Sequence, residues 1–371
     1  MEHIVLYRKY RPQSFAEVVG QEHIVKTLQN TLKEGAAGHA YLFSGPRGTG
    51  KTTLARLLAK ALNCQKPEGV RKTGEPCGVC EHCQELAAGR AIDLIEIDAA
   101  STRGIDDIRE LRDSVRTRAI QGHYKVYLVD EVHMLTGPAF NAFLKTLEEP
   151  PSYVVFILAT TEPHKLPATV ISRTQRFDFR RLSVAEIEKE LNRIAEAEKV
   201  KIETGAIAVL AREAEGSLRD AAGLLEQTLA FSGEAAIGVE AVEAMLGILS
   251  PSRLKEFVDY LFAGEREKAL KWLEELVNGG QDTHQFLHSL NHYLRHLLFL
   301  SLDQRFDERI ETEVGADMLP VMKKQAVLSN PQKITRWIQL FAHARRNIEL
   351  YPLPQMAVEI AIVEGIIKET S

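Results

Sequence analysis

The sequence predicts an α/β protein, with a doubly wound parallel sheet followed by a small helical lid domain and a second all-helical domain. Three observations carry this prediction. Four runs rich in Val, Ile and Leu alternate with helical stretches, a glycine-rich loop follows the first run, and the strand signal disappears from Ser183 onward. We expect domain boundaries that give the segments 1–181, 182–249 and 250–371.

The four apolar runs suit central strands of a parallel sheet that is covered on both faces. They cover residues 41–45, 92–100, 124–132 and 153–161. Helical patterns at 106–118 and 138–147 separate the later runs, and the second pattern ends before Pro150 and Pro151. Beyond the sheet, Ser183 and Glu186 have the spacing of a capping box, which predicts the start of the first lid helix. The region after residue 250 is leucine-rich and helical, and we interpret it as a packing or assembly domain.

Bulk composition narrows the function classes. The 371 residues are 45% hydrophobic and 26% charged, with a formal net charge of −5. The apolar runs are too short to span a bilayer, and the first residues lack the apolar stretch of a signal peptide. We therefore expect a cytoplasmic protein with no membrane partner. A mildly acidic balance neither indicates nor excludes nucleic acid, because charge can be segregated by domain.

Residues 45–52 read GPRGTGKT and fit the phosphate-loop pattern G-x-x-x-x-G-K-[ST] without a mismatch. Its glycines allow successive N–H groups to face a phosphate, Lys51 supplies a cation to the β- and γ-phosphates, and the Thr52 hydroxyl can ligate Mg²⁺. The loop lies at the N-terminus of the helix that follows, and binding of an anion is favoured there. A bare glycine turn is the alternative. The predicted cofactor-binding residues here are Gly45, Pro46, Arg47, Gly48, Thr49, Gly50, Lys51, Thr52 and Thr53.

All four cysteines of the chain lie within twenty residues. Cys64, Cys77, Cys80 and Cys83 form the pattern C-x12-C-x2-C-x2-C. Four thiolates have the number and chemistry of a closed tetrahedral zinc site, which favours a structural role, since no position is left open for water. Disulfides, which are typical of secreted chains, and iron–sulfur ligation are the alternatives. We expect bound zinc.

Candidate catalytic residues follow the later strands. Asp130 and Glu131 end the run VYLVDE, where an aspartate can hold Mg²⁺ and an adjacent glutamate can deprotonate the attacking water. A solvated pair of carboxylates is the alternative. Thr161 ends the next run, and its hydroxyl can bind that water or the γ-phosphate, although threonine is also a good strand residue. Spacing alone does not decide whether Arg173 is a surface cation, an ion-pair partner or a finger that reaches a neighbour's nucleotide. Arg219, at the start of a lid helix, could meet the γ-phosphate.

Six features follow one another in order: LYRKYRPQSFAEVVGQEHIV, GPRGTGKT, the cysteine quartet, DEVHML with FNAFLKTLEEPP, ATTEPHKLPATVISRTQRF and GSLRDA. This series resembles the AAA+ ATPases and, among them, the gamma/tau family of bacterial DNA polymerase III clamp-loader subunits. The resemblance covers the whole chain, strongly to about residue 225 and by architecture after residue 250. It implies an AAA+ domain with a zinc-binding insertion, a helical lid and a helical collar for oligomerisation.

The resemblance also implies roles for single residues. Lys51 and Thr52 would bind phosphate and Mg²⁺, Asp130 and Glu131 would be the Walker B pair, Thr161 the first sensor and Arg219 the second. Arg173 would act in trans as the finger on a neighbouring subunit's ATP. The adenine would lie against Tyr10, Pro12, Val18, Val19 and Gly20. The chain has Thr174 where the family usually has cysteine after the serine and arginine, so a role for that position is not implied.

The implied function is that of an ATPase motor subunit, which opens a sliding clamp and loads it onto primed DNA as part of DNA polymerase III. The implied partners are the delta and delta-prime-like clamp-loader subunits, further copies of the chain, the clamp, and primer–template DNA bound without sequence preference. The implied cofactors are ATP, Mg²⁺ and Zn²⁺. Ser101, Thr102, Arg103 and Gly104, before the helix at 106–118, are candidate contacts to DNA phosphates. An N-cap with acidic residues in the first helical turn is the alternative there.

Two other functions compete with this interpretation. One is a zinc adaptor or assembly protein with a vestigial nucleotide site, which the complete set of Lys51, Thr52, Asp130, Glu131 and Arg219 argues against. The other is a different AAA+ enzyme such as a branch-migration helicase. The cysteine insertion and the all-helical C-terminal region argue against that one.

Overall fold

The computed structural model describes residues 4–101, 104–232, 236–314 and 318–367. The chain divides into two compact units, Met1–Gly238 and Val239–Ser371. Among the described helices, none combines the length and the apolar character that a membrane span requires. The predicted boundaries at 181/182 and 249/250 stay predictions.

A five-stranded parallel sheet forms the centre of the first unit. Its strands are β1 (Ala40–Ser44), β2 (Leu94–Asp98), β3 (Lys125–Asp130), β4 (Val154–Thr160) and β5 (Gln175–Asp178), in the spatial order β2-β3-β4-β1-β5. The predicted doubly wound parallel sheet is therefore confirmed. The sequence pattern missed β5, because three of its four residues are exposed and only Phe177 is buried. That strand pairs with β1 at the edge of the sheet.

Eleven α-helices accompany the sheet in the described part of this unit. They are α1 (Leu6–Lys9), α2 (Glu22–Glu34), α3 (Lys51–Leu62), α4 (Pro67–Thr73), α5 (Glu81–Ala87), α6 (Ile105–Val115), α7 (Gly137–Glu148), α8 (Ala168–Ile171), α9 (Val184–Ala197), α10 (Thr204–Glu213) and α11 (Leu218–Ser232).

Alternate residues of each central strand enter two separate hydrophobic cores, as the period of two in a strand requires. Tyr41 and Phe43 of β1 face one core, which includes side chains of α2, α3 and the cysteine segment, residues 64–83. Leu42 faces the other, with α6 and α7. Both faces of the sheet are thus covered, which is why its strands are nearly continuous apolar runs.

The first lid helix, α9, begins as the sequence predicts. The Ser183 side chain accepts a hydrogen bond from the Glu186 backbone N–H, and the Glu186 carboxylate accepts one from the Ser183 backbone N–H. The Arg180 guanidinium also binds Glu186 at 2.6 Å and, with burial opposing and the Ser183 donors assisting, lowers the pKa of Glu186 to about 2. The carboxylate is therefore charged at neutral pH and joins the end of the sheet domain to the first turn of the lid.

The second unit is helical throughout its described residues, as the sequence predicts. Its helices are α12 (Val239–Leu246), α13 (Pro251–Phe262), α14 (Arg266–Asn278), α15 (Thr283–Leu302), α16 (Asp307–Val314), α17 (Met318–Val327), α18 (Pro331–Asn347) and α19 (Pro354–Ile367). One core joins side chains of α13, α14, α15, α17, α18 and α19. Gly365 of α19 packs directly on the Trp337 ring, and a methyl group there would collide with the ring.

Candidate functional site

The glycine-rich loop leaves β1 after Ser44 and enters α3 at Lys51. Gly45, Gly48 and Gly50 have φ angles of +146°, +74° and +100°, which other residues rarely adopt. A side chain at Gly45 would also collide with the Phe179 backbone, and one at Gly48 would collide with Ser217 of the lid. All three positions therefore have a conformational reason to be glycine, and Gly45 and Gly48 have a steric reason as well.

Lys51 is buried at the N-terminus of α3, with 6% of its surface exposed. Its ammonium group donates to the carbonyl oxygens of Gly45 and Pro46, each at 2.7 Å. Burial lowers the pKa of Lys51, and the nearby carboxylates of Glu131 and Asp130 oppose that shift. The cation is thus held beneath the loop by two carbonyl groups, within the cradle that a phosphate would enter.

The Thr52 hydroxyl lies next to the end of β3. It donates to Asp130 Oδ2 at 2.9 Å, while Asp130 Oδ1 accepts from the Glu131 backbone N–H at 2.9 Å. A hydroxyl and a carboxylate at this spacing are ligands that suit Mg²⁺, which prefers oxygen donors and keeps several waters. The structure thus brings together the two residues that the sequence suggests for this metal.

Glu131 adopts a left-handed backbone conformation, with φ of +46° and ψ of +44°. Its Oε2 accepts from the Thr161 backbone N–H at 3.1 Å and from the Thr161 hydroxyl at 2.9 Å. Backbone conformations of this kind cost about 1–3 kcal/mol and cluster at functional sites. Thr161, the first residue after β4, therefore fixes the carboxylate that the sequence suggests as the general base.

His133 is a neighbour of this pair that sequence reasoning missed. Its side chain is 5% exposed, with Nδ1 at 3.4 Å from Glu131 Oε2 and Nε2 at 3.0 Å from Glu162 Oε2. Nδ1 also lies 3.0 Å from the Thr160 hydroxyl. The signal was available in the run DEVHM, because a histidine three residues after the aspartate lies just beyond the same strand.

A cavity of about 790 Å³ lies over the loop, within the range of small-molecule sites. Most of the predicted cofactor-binding residues line it: Tyr10, Pro12, Val18, Val19, Arg47, Gly48, Thr49, Gly50, Lys51, Thr52, Thr53 and Arg219, with Asp130 and Glu131. Gly45 and Pro46 are not lining residues. They contribute the carbonyl groups that hold Lys51.

The lid and the N-terminal residues also contribute to the cavity wall. The Arg219 guanidinium lies over the Tyr7 ring, 4.8 Å from its centre, which is a cation–π distance. The Tyr10 hydroxyl donates to Glu198 of the lid at 2.6 Å. Tyr7 and Arg11 line the cavity but were not predicted, because no motif marks them.

Arg173 is not among the residues that line this cavity. Its Nη2 donates to Glu148 Oε1 at 2.8 Å, and its Nη1 donates to the Thr169 carbonyl at 3.0 Å. It lines a separate shallow hollow with Glu148, Glu149, Ser172 and Thr174. The Thr174 hydroxyl donates to the Val170 carbonyl at 3.1 Å, which is a local backbone contact.

The four cysteine sulfurs converge, and all lie within 4.8 Å of one another. None of them is in a disulfide. Sulfur atoms on one zinc ion are about 3.8 Å apart for Zn–S bonds of about 2.3 Å, and Cys77 Sγ lies 4.0 Å from Cys83 Sγ. The donor set therefore fits zinc. Cys83 lies within α5, and Cys80 directly precedes that helix.

Burial raises the pKa of the Cys64 and Cys83 thiols. Burial acts the same way on Cys77, but the backbone N–H groups of Val79 and Cys80 outweigh it and lower the pKa to about 6. Cys77 is therefore the most acidic of these three thiols, and metal binding would release protons from Cys64 and Cys83.

The candidate DNA contacts are only partly described. Thr102 and Arg103 lie outside the described residues. The Ser101 hydroxyl donates to the Asp98 carbonyl at 3.0 Å, and Gly104 accepts from the Ile108 backbone N–H at 3.4 Å. A contact to DNA at this segment stays a prediction.

Three family models match successive parts of the chain. The model for "DNA polymerase III, delta subunit" matches residues 20–183. The model for "DNA polymerase III clamp loader subunit, ATPase lid domain" matches residues 186–234, and that for "DNA polymerase III subunits gamma and tau domain III" matches residues 237–368. DNA polymerase III subunit gamma of Buchnera aphidicola is 37% identical over 371 residues, covering 99% of both chains. The chain belongs to the DNA polymerase III gamma/tau family.

Longer family members align over nearly the whole chain. DNA polymerase III subunit tau of Escherichia coli is 42% identical over 369 residues, and that of Bacillus subtilis is 40% identical over 364. The chain spans 56% and 63% of their lengths. Among solved structures, the Thermotoga maritima RuvB Holliday junction branch migration motor is 20% identical, with a TM-score of 0.48 over 68% of this chain and 79% of that one, a similarity too low to support any inference.

Proposed function

We propose that the chain is the ATP-hydrolysing motor subunit of a bacterial replicative clamp loader. ATP binding and hydrolysis would drive the opening of a sliding clamp and its loading onto primed DNA, as part of DNA polymerase III. Membership of the gamma/tau family supports this proposal. The observation that carries it is the contact of Thr161 with Glu131 beside the Thr52–Asp130 pair, because a vestigial site would not need an oriented base.

The proposed chemistry follows from the positions of the side chains. The loop N–H groups and Lys51 would hold the β- and γ-phosphates of ATP, and Thr52 with Asp130 would hold Mg²⁺. The metal would neutralise charge on the phosphate oxygens. Glu131, fixed by Thr161, would orient the attacking water and take its proton.

Two arginines would complete the charge stabilisation. Arg219 would leave the Tyr7 ring to meet the phosphate from the lid side of the same subunit. Arg173 would act in trans on the ATP of a neighbouring subunit, which agrees with its place outside the chain's own cavity. Arginines supplied in this way accelerate phosphoryl transfer by about 10³–10⁵.

The assembly belongs to the same proposal. The partners would be delta and delta-prime-like subunits, further copies of the chain, the clamp, and primer–template DNA bound without sequence preference. Residues 1–181 would form the AAA+ domain, 182–249 the lid and 250–371 the collar. The cysteine quartet would hold a structural zinc ion, and the assembly would act in the cytoplasm.

Steady-state ATP hydrolysis tests this function. The chain is assembled with its proposed partner subunits, and its turnover is measured with and without clamp and primed DNA. We expect both together to stimulate the rate well above that of the assembly alone. A rate that neither clamp nor primed DNA changes would rule out the clamp-loading function.

A further inference from the structure

One wall of the nucleotide cavity is a short N-terminal segment, residues 10–19. Tyr10, Pro12, Val18 and Val19 line the cavity from this segment. Between them the chain turns away into a short 3-10 helix, Phe15–Glu17. The cavity wall therefore depends on what holds the middle of the segment.

Two buried or half-buried polar groups hold that middle part. Lys60 of α3, which is 3% exposed, donates to the carbonyl and side-chain oxygens of Gln13 at 3.0 and 3.1 Å. Glu75 Oε2 accepts from the Phe15 backbone N–H at 2.8 Å. That N–H opens the 3-10 helix, where a backbone donor has no partner within the helix, so a carboxylate is well suited to it.

Glu75 belongs to the cysteine segment. It directly follows Gly74, the left-handed residue that ends α4, and lies two residues before Cys77. Its other oxygen, Oε1, accepts from Gln29 Nε2 of α2 at 2.9 Å. Gly74 packs so closely on Gln29 that an added Cβ would lie 2.7 Å from the Gln29 Cβ. The carboxylate is thus fixed from both sides.

Hydrophobic packing joins the same two regions. Phe15 is 1% exposed, and it shares one core with Cys64, Cys80 and Cys83. Val18, from the cavity wall, packs against that core as well. The arrangement of the four cysteines, the position of Glu75 and the position of the segment are therefore mechanically linked.

We propose that Glu75 is a positioning residue, through which the cysteine segment holds residues 10–19 in their nucleotide-binding conformation. The inference rests on the proposed function, because it requires ATP in the cavity. Glu75 itself would not touch the nucleotide. Its loss would reduce the fraction of chains whose segment is in place, and the apparent affinity falls by that fraction.

The test compares variants of the full zinc-loaded chain. Binding of a fluorescent, non-hydrolysable ATP analogue with Mg²⁺ gives Kd, and amide hydrogen exchange reports on residues 12–19. Glu75→Ala removes a hydrogen bond to a charged group, so it should weaken binding about tenfold or more and speed exchange in the segment. Glu75→Gln, which keeps an acceptor oxygen, should recover most of the affinity.

Glu68→Ala is the matched control. Glu68 is an exposed acid on α4 of the cysteine segment, with no side-chain hydrogen bond among the described residues, so its loss should change neither Kd nor exchange. Zinc removal by a chelator should weaken wild-type binding by about the same factor as Glu75→Ala. Zinc removal from Glu75→Ala should weaken its binding little further, because two perturbations that act through one contact are not additive.

Wild-type affinity and wild-type exchange in zinc-loaded Glu75→Ala would overturn the inference and leave the proposed function intact. A full further loss on removing zinc from Glu75→Ala would overturn the link through this carboxylate. A wild-type chain that does not bind the analogue at all would instead refute the proposed function.

Discussion

Replacing Thr161 by valine isolates a single contact of the proposed general base. Valine keeps the shape of the side chain and the backbone N–H at 3.1 Å from Glu131 Oε2, but it removes the hydroxyl at 2.9 Å. A hydrogen bond to a charged group contributes about 1.5–3 kcal/mol, which corresponds to roughly 10- to 150-fold in rate. Because the backbone contact remains, we expect a fall in kcat near the lower end, about tenfold.

The assay is turnover by the reconstituted assembly with clamp and primed DNA, measured over a range of ATP concentrations. KM should hardly change, because the lost bond orients the base and does not hold the nucleotide. Glu131→Gln should cost more, about 10²–10⁴-fold, and Thr161→Ser should stay near wild type because it keeps the hydroxyl. A Thr161→Val assembly that turns over faster than wild type would refute the reasoning, since the bond would then restrain Glu131.

Three further predictions concern the neighbour's site, stability and metal. Assemblies of Arg173→Ala chains should bind ATP with wild-type affinity but lose about 10³-fold or more of the stimulated rate, and full stimulation would contradict a trans role. Asp93, which is 1% exposed, accepts three backbone N–H groups from residues 120–122 at 2.7–2.8 Å, so Asp93→Ala should lower the free energy of unfolding in urea by about 3 kcal/mol. Burial acts to raise the pKa of Asp93, but the three backbone donors lower it overall. The contribution of Asp93 to the free energy of unfolding is therefore full above about pH 4 and is lost as the pH falls through the lower pKa of the folded state. An Asp93→Ala variant whose stability falls with acid just as that of the wild type does would contradict this. Metal analysis should give about one zinc per chain and much less for Cys83→Ser.

The contacts that could be predicted are those whose residues are close in sequence or follow strands. The loop at 45–52 is contiguous. Asp130 ends β3 and Thr161 directly follows β4, and the carboxyl ends of these neighbouring parallel strands meet at one edge of the sheet. A motif or a period was therefore enough to predict them.

Other contacts join distant residues through ordinary side chains. Gln21, which is fully buried, donates to the Arg180 carbonyl at 2.8 Å across 159 positions and lies 3.4 Å from the Thr49 carbonyl. No motif in the sequence marks Glu75, and its contact with the Phe15 backbone N–H arises only in the folded chain. The missed strand β5 has one buried residue, so its identity depends on pairing with β1 rather than on its own pattern.

The close approach of the lid to the phosphate loop limits which lid domains could replace this one in a chimeric protein. The Leu218 backbone N–H donates to the Gly48 carbonyl at 3.2 Å, and Ser217 occupies the space that a side chain at Gly48 would need. On the loop side, the contact is made by the backbone carbonyl of a glycine. A different lid therefore cannot be accommodated by changing a side chain of the loop. A chimera that takes its lid from another family member must therefore reproduce this backbone path, and the loop and the lid act as one exchangeable part.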